Sequence, residues 1–163
     1  MSCSFFYLTF AKRLINSLIY IFIQIILKIG EKVPEFQMLD QNGIQRTNNK
    51  LKSPLVLFFY PKDDTPGCTI EVCGFRDKYD LFKVLGAEVW GVSNGNTASH
   101  LAFANKNKLQ YPLLCDTNDS LRKIFGVPKV LGLLDGRVTY VIDRKGIVRH
   151  IYRDLLNGPA HIK

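Results

Sequence analysis

Hydrophobic and polar residues follow one another along this chain in patterns that are typical of buried strands and amphipathic helices. The continuous apolar run PLVLFFY at 54–60 predicts a strand that is buried on both faces. Pro61 ends that strand. Apolar residues then recur at three- and four-residue spacing, which predicts one helix with a single apolar stripe: Val72, Phe75, Tyr79, Phe82 and Leu85.

The rest of the chain continues this alternation. The pattern next predicts a strand at 87–93, and then a helix that is capped by Asn96 or Thr97 and runs to about Lys106. A strand at 112–115 follows, and then a helix that begins at Asp119 or Ser120 and is ended by Gly126 and Pro128. Strands at 138–142 and 147–152 form a closing hairpin. Helices serve as the crossovers between parallel strands, and the closing hairpin adds an antiparallel edge. We therefore predict an α/β fold, a thioredoxin-like sandwich with a central mixed sheet flanked by helices.

The first thirty residues differ from everything that follows. Residues 14–29 are almost entirely apolar, but a membrane-spanning helix usually needs about 20 such residues. Lys12 and Arg13 precede the run, as in a signal peptide or signal anchor, and no small-residue cleavage site follows it. We assign residues 1–30 to an apolar targeting or membrane-anchor segment and residues 31–163 to the folded domain.

Three interpretations of this segment remain open. It is an uncleaved anchor or membrane-surface segment, a targeting segment that is removed, or a helix packed on the domain or on a partner. The first two predict a membrane-associated or targeted protein, in a bacterial envelope or an organelle. The cytoplasm is the alternative.

Composition adds little to this picture. The chain has 163 residues, of which 47% are hydrophobic and 22% charged, so one domain can bury its own core. Its net charge of +8 is not gathered into a basic motif with interleaved aromatics, so we expect a solvated surface and no nucleic-acid partner. Four cysteines are too few for a disulfide scaffold, and each is considered by itself.

Cys68 stands where local structure favours a reactive thiolate. Thr65 is a good helix N-cap, and Pro66 suits the first helical position. Cys68 then falls third after the cap, in the first helical turn and beyond the end of a buried strand. Unpaired N–H groups and the helix dipole favour the thiolate there, and they can lower a cysteine pKa from about 8.5 to below 7. We therefore predict that Cys68 is a nucleophile.

Cys73 follows five residues later in the same predicted helix. Helical geometry separates the two Cα atoms by roughly 8–9 Å, beyond the limit of ~7 Å for a disulfide. A bond between Cys68 and Cys73 thus requires the helix to unwind, which Gly67 and Gly74 facilitate. The spacing does not fit a zinc site, and no metal is expected. Cys115 is interpreted as a core residue, and His100 as a surface or core histidine whose hydrogen bonds are satisfied.

The segment FYPKDDTPGCTIEVCGFRD, with Pro61-x-x-x-Thr65-x-x-Cys68, resembles the active-site motif of peroxiredoxins, in their bacterioferritin-comigratory-protein or Q-type branch. The resemblance runs from about residue 31 to 161. It implies a peroxidatic Cys68, a resolving Cys73, a Thr65 hydroxyl directed at thiolate and peroxide, and a pocket shielded by Pro61. It also implies that Arg137 lies near the thiolate. Without the resemblance, the sequence favours a surface arginine at a strand edge for this residue.

The resemblance implies a thioredoxin-dependent peroxidase with no cofactor. Cys68 would reduce hydrogen peroxide and organic hydroperoxides to water and alcohols and become a sulfenic acid. Condensation with Cys73 would form a disulfide, which thioredoxin or a similar dithiol would reduce. We expect a monomer.

Two hypotheses compete with an enzyme. In the first, the cysteine pair is a redox switch in a binding module, and a disulfide forms without rapid peroxide consumption. In the second, the chain is a membrane-tethered structural domain whose cysteines are idle, and Cys68 has an ordinary thiol pKa.

Overall fold

The structure is a computed structural model that describes residues 26–130 and 134–162. Most of the targeting or anchor segment predicted at 1–30 therefore lies outside the described residues, and so does most of the predicted membrane contact through 14–29. In the two ranges that are described, no helix is both long enough and apolar enough to cross a membrane.

Within these two ranges the chain forms nine strands and four α-helices. The strands are β1 (Gln37–Leu39), β2 (Gln45–Thr47), β3 (Leu55–Phe59), β4 (Glu88–Ser93), β5 (Leu113–Cys115), β6 (Lys129–Val130), β7 (Leu134–Asp135), β8 (Val138–Ile142) and β9 (Val148–Arg153). The helices are α1 (Pro66–Asp77), α2 (Tyr79–Val84), α3 (Thr97–Asn107) and α4 (Ser120–Phe125), with 3-10 turns at Asn48–Lys50 and Gly158–Ile162.

A five-stranded mixed sheet forms the centre, in the order β5-β4-β3-β8-β9. Strands β3, β4 and β5 are parallel, and β8 runs antiparallel to both β3 and β9. All five residues of β3 are buried, because the strand is central and both faces of the sheet are covered. The predicted α/β sandwich, its buried central strand and its closing hairpin are confirmed.

Alternate residues of β3 enter two separate cores. Leu57 and Phe59 pack with Trp90 on one face of the sheet, whereas Val56 and Phe58 pack on the other. This follows from the period of two along a strand. The second core also contains residues of α1, including Cys68, so the sulfur is held by the same packing that fixes the helix on the sheet.

The prediction of one helix through Leu85 is wrong, because the stripe is divided between α1 and α2. Lys78 separates them with φ −102° and ψ 5°, outside helical geometry. Val72 and Phe75 are buried, but Leu85 is 65% exposed beyond the end of α2. The change of direction at Lys78 breaks the continuity of the stripe, so its last member lies at the surface.

The other predicted helices are confirmed, and their ends have local causes. Asn96 caps α3 by accepting a hydrogen bond from the Ser99 N–H at 2.9 Å. Gly126 ends α4 in the left-handed region, at φ 62°. The sequence pattern did not predict the short hairpins β1–β2 and β6–β7, whose strands of two or three residues have too little periodicity.

Candidate active site

Cys68 lies in the first turn of α1, just beyond the edge of β3. Thr65 occupies the N-cap with extended backbone at φ −88° and ψ 144°, and Pro66 is the first helical residue, as predicted. The sulfur-bearing residue is 1% exposed and packs in the second core. The helix N-terminus directs free N–H groups and its positive dipole end towards this turn, while burial disfavours a charge. A thiolate here therefore depends on further donors.

Arg137 supplies such a donor. It is 5% exposed, and its Nη2 donates to the Sγ of Cys68 at 3.3 Å. Its Nε donates to the Leu155 carbonyl at 3.2 Å. The proximity follows from the register, in which β8 begins beside the end of β3, with Val138 opposite Phe59. Without the resemblance, the sequence favoured a surface position for Arg137, and that interpretation is wrong.

Glu71 is part of the site, and the sequence analysis missed it. It is fully buried one turn after Cys68, and its Oε2 accepts from Nη1 of Arg137 in an ion pair. The guanidinium is thus shared between a sulfur and a carboxylate. A signal was present in the sequence, because Glu71 interrupts with a charge the buried face that Val72 and Phe75 define.

The Thr65 hydroxyl does not perform the predicted cap. Its Oγ1 donates to the Lys62 carbonyl at 3.2 Å, and α1 has no side-chain cap hydrogen bond. Among the hydrogen bonds of the described residues, none joins Thr65 to Cys68. The hydroxyl oxygen keeps a free lone pair that can accept from an incoming O–H group. Pro61 is partly buried at the start of the same loop.

A buried network of hydrogen bonds around Asp63 braces the loop between β3 and α1. Asp63 accepts from Tyr60 Oη at 2.7 Å and from Ser99 Oγ at 2.7 Å, and it lies 2.7 Å from Nδ1 of His100. Burial alone would raise the pKa of Asp63, but the hydrogen bonds and the charge of His100 outweigh it and lower that pKa below its usual value. Of the two interpretations of His100, as a surface or a core histidine, the structure supports the second, because its side chain is fully buried.

Cys73 lies in the same continuous helix as Cys68, as predicted. Its side chain is half-buried, and its Sγ is 3.6 Å from Oδ1 of Asn107. Both residues are free thiols. Because the two cysteines are five positions apart in a regular helix, their sulfurs cannot bond until the first turns of α1 open.

Cys115, at the end of β5, is half-buried rather than part of the core interior. Burial, and then the charges of Asp40 and Asp63, raise the pKa of its thiol to about 11. At neutral pH it is therefore a thiol, and a poor nucleophile.

The chain was compared with known protein families and curated proteins. A model of the AhpC/TSA family matches residues 29–151. The chloroplastic peroxiredoxin Q of Triticum aestivum is 47% identical over 135 residues, which are 82% of this chain and 62% of that protein. The chloroplastic peroxiredoxin Q of Sedum lineare is 46% identical over 82% of this chain and 73% of its own length. The chain thus spans just under two thirds of the length of the wheat protein.

Solved structures agree with this result. The crystal structure of peroxidoxin BcpB from Mycobacterium tuberculosis superposes with a TM-score of 0.76 at 36% identity, over 83% of this chain and 91% of that one. A cysteine mutant of PrxQ from Xylella fastidiosa gives a TM-score of 0.76 at 27% identity, over 82% and 91%. The chain therefore belongs to the AhpC/TSA family, in its peroxiredoxin Q branch.

Proposed function

We propose that this chain is a thiol peroxidase with Cys68 as its reacting thiolate. One observation carries the proposal, namely the buried guanidinium of Arg137 within hydrogen-bond distance of the Cys68 sulfur. An arginine stays charged at any physiological pH and offers donors in a fixed plane. It therefore stabilises the thiolate and can polarise a peroxide bound beside it.

The first step is attack of the Cys68 thiolate on the terminal oxygen of a hydroperoxide. An S–O bond forms as the O–O bond breaks, the terminal OH group stays on the sulfur as a sulfenic acid, and the leaving oxygen takes a proton from the solvent to become water or an alcohol. Negative charge moves from the sulfur to the leaving oxygen during this step. Arg137 Nη2 already donates to the sulfur, and a preorganised cation at this place stabilises the charge as it moves, which lowers the barrier. The Thr65 oxygen can accept a hydrogen bond from the hydroperoxide O–H group, and Pro61 shields the pocket.

The second step is condensation of the Cys68 sulfenic acid with the Cys73 thiol, which forms a disulfide and releases water. This step needs the first turns of α1 to open, so the enzyme has a helical reduced form and an unwound oxidised form. An external dithiol, thioredoxin or a similar protein, restores both thiols through a mixed disulfide.

The relatives support a proposal for the substrate class and for the location. The study of the Xanthomonas campestris bacterioferritin comigratory protein concerns alkyl peroxide reduction, and its structure superposes with a TM-score of 0.72 at 28% identity. We therefore include alkyl hydroperoxides with hydrogen peroxide among the substrates. The chloroplastic location of the plant relatives supports organelle targeting for this chain.

The test is peroxide consumption by the full chain with a thioredoxin system. We expect Cys68→Ser to abolish turnover and Cys73→Ser to consume one peroxide per chain and then stop with this reductant. Cys115→Ser, the control, should keep wild-type turnover, because its thiol is far from ionised at neutral pH. Equal peroxide consumption by wild type and Cys68→Ser would overturn the proposal.

A further inference from the structure

Arg122 is a buried cation that the proposed mechanism does not use. It lies in α4 and is 2% exposed. Its Nη1 donates to the Gly136 carbonyl at 2.9 Å, and its Nη2 donates to the Tyr60 carbonyl at 3.1 Å. Its Nε lies 3.8 Å from Asp119 Oδ1 and 3.9 Å from Asp135 Oδ1, beyond hydrogen-bond distance. Arginine is almost never fully buried unless it is paired, so the two bonds to main-chain carbonyls call for an explanation.

Both carbonyls belong to residues that directly precede a residue of the site. Tyr60 precedes Pro61, where the loop to Cys68 begins, and Gly136 precedes Arg137. The two stretches come from different strands, β3 and β8, and a single guanidinium joins them.

The main-chain pairing of the two strands stops just before this point. The last residues of β3 and β8 that pair are Phe59 and Val138. Beyond them, Pro61 has no N–H to donate, and the Gly136 N–H donates to the Pro128 carbonyl at 2.9 Å instead. Buried carbonyls need donors, and a side chain of α4 supplies them where the ladder ends.

The stretch before Arg137 leaves little room for adjustment. A Cβ at Gly136 would overlap the Pro128 carbonyl oxygen, so only glycine permits this close approach. Hydrogen bonds are short and directional, so a shift of the main chain at Gly136 changes the contact between Arg137 Nη2 and the Cys68 sulfur. The position of the Gly136 carbonyl therefore matters to the thiolate.

We propose that Arg122 is a positioning residue for the Cys68 site. It fixes the end of β3, which leads into α1, against the start of β8, and so holds Arg137 Nη2 at the sulfur. Two donors on separate nitrogens of one rigid plane can bind two carbonyls from different strands, which an ammonium group does less well. The inference rests on the proposed function only in that Cys68 is taken as the reacting thiolate.

The test measures the ionisation of Cys68 directly. In the full chain with Cys3, Cys73 and Cys115 changed to serine, absorbance at the thiolate band is followed against pH. The same chain with Cys68→Ser is the blank, which removes the contribution of the tyrosines.

The variants at Arg122 leave the groups around the thiol unchanged. These groups are Arg137, Glu71 and, behind Glu71, His161, whose Nδ1 lies 3.7 Å from Glu71 Oε1. Arg122→Met removes both the charge and the fork, whereas Arg122→Lys retains the charge and loses the fork.

We expect Arg122→Met to raise the midpoint of Cys68 ionisation by about one pH unit, because part of what a neighbouring arginine contributes depends on its placement. Arg122→Lys should raise it by at least half as much. A wild-type midpoint in Arg122→Met would overturn the inference. A wild-type midpoint in Arg122→Lys would overturn it as well, since the charge and not the fork would then be responsible.

A double-mutant cycle separates positioning from a direct effect of the Arg122 charge. In an Arg137→Gln background the effect of Arg122→Met should disappear, because there is no longer a guanidinium to position. An effect that persists in that background means that Arg122 acts on the thiolate by itself, which contradicts the inference.

Leu121→Ala is the control for damage to the fold. Leu121 is the neighbour of Arg122 in α4, and it is fully buried in the first core. Its truncation leaves a cavity and should lower the free energy of unfolding measured in urea, but it should leave the midpoint of Cys68 unchanged. A midpoint that rises as much in Leu121→Ala as in Arg122→Met would assign the effect to damage in α4 and overturn the inference.

If Arg122→Met does not fold, Arg122→Lys decides the question alone and in the Arg137→Gln background. No peroxide or reductant enters the titration, so a chain that failed to turn over peroxide would still answer the question about Arg122.

Discussion

The Nη2 of Arg137 donates to the Sγ of Cys68 across 3.3 Å, although 69 positions separate the two residues in the chain. The same guanidinium pairs with Glu71 and donates to the Leu155 carbonyl, so three of its nitrogen atoms are committed at once. A planar fork with fixed donor directions is needed for this, and arginine is the one side chain that has it.

Arg137→Lys should therefore be nearly as damaging as a truncation. An ammonium group keeps the charge but cannot reach the sulfur, the carboxylate and the carbonyl together. We expect the rate constant for reaction with peroxide to fall by about 10²-fold or more, as when one preorganised donor is removed. Stopped-flow measurement of sulfenic acid formation checks this. Arg149→Lys is the control, because Arg149 forms an exposed ion pair with Asp143. A rate constant that falls by less than about threefold in Arg137→Lys would contradict the role given to Arg137.

Gly67→Ala should slow disulfide formation without blocking the first step. A Cβ at Gly67 meets only Arg137 Nη2, at an ordinary 3.6 Å, so alanine fits the reduced helix. Alanine at a compatible position stabilises by about 0.4–1 kcal/mol, which corresponds to roughly two- to fivefold slower unwinding. Single-turnover kinetics should show an unchanged sulfenic acid step and a slower disulfide step, with more sulfinic acid at high peroxide. A disulfide step at the wild-type rate would show that opening of this turn is not limiting.

Asp63→Asn should destabilise the domain, because it leaves the buried His100 without its carboxylate. We expect a loss of about 3 kcal/mol in the free energy of unfolding, typical of breaking a buried pair. The matched control is Asp64→Asn, whose exposed pair with Lys106 should change stability by less than about 0.5 kcal/mol. Urea unfolding of both variants at neutral pH measures the difference.

The contribution of Asp63 should also depend on pH with a definite sign. Its pKa is lowered in the folded state, so the stabilisation is complete above the unfolded pKa of about 3.9 and is lost as the pH falls through the folded value. The difference in the free energy of unfolding between wild type and Asp63→Asn should hence be constant down to about pH 5 and shrink below about pH 4. A difference that grew larger in acid would mean that folding raises the pKa of Asp63 instead of lowering it.

Cys115 should resist alkylation at neutral pH. A pKa of about 11 leaves roughly one thiolate in ten thousand at pH 7. Mass spectrometry after a short iodoacetamide pulse should find Cys68 labelled and Cys115 unlabelled, and both labelled in denaturant. Labelling of Cys115 in the folded chain at a rate comparable to Cys68 would contradict the effect assigned to its burial.

Most of the architecture could be predicted from the sequence because it depends on neighbours in the chain. The apolar run of β3, the Asn96 cap and the turn at Gly126 are decided within a few positions, and all three were predicted. The position of Cys68 in the first turn of α1 was also predicted, since Thr65 and Pro66 specify where the helix starts. The direction of the Thr65 hydroxyl was not predicted, because it donates to the Lys62 carbonyl and accepts no hydrogen bond from a helix N–H group.

By itself, the sequence thus determined the strands of the central sheet, the helices between them apart from the break at Lys78, and the placement of Cys68, all through short-range backbone preferences. Only the tertiary structure decided what surrounds the sulfur. Arg137 was indicated by resemblance alone, and Glu71 and His161 were not predicted. These three residues come together only in the fold, because β8 pairs with β3 and the turn Gly158–Ile162 packs on α1. Helix periodicity describes which face is buried, but the partner that neutralises a buried charge comes from elsewhere in the chain, and only the folded backbone specifies which one it is.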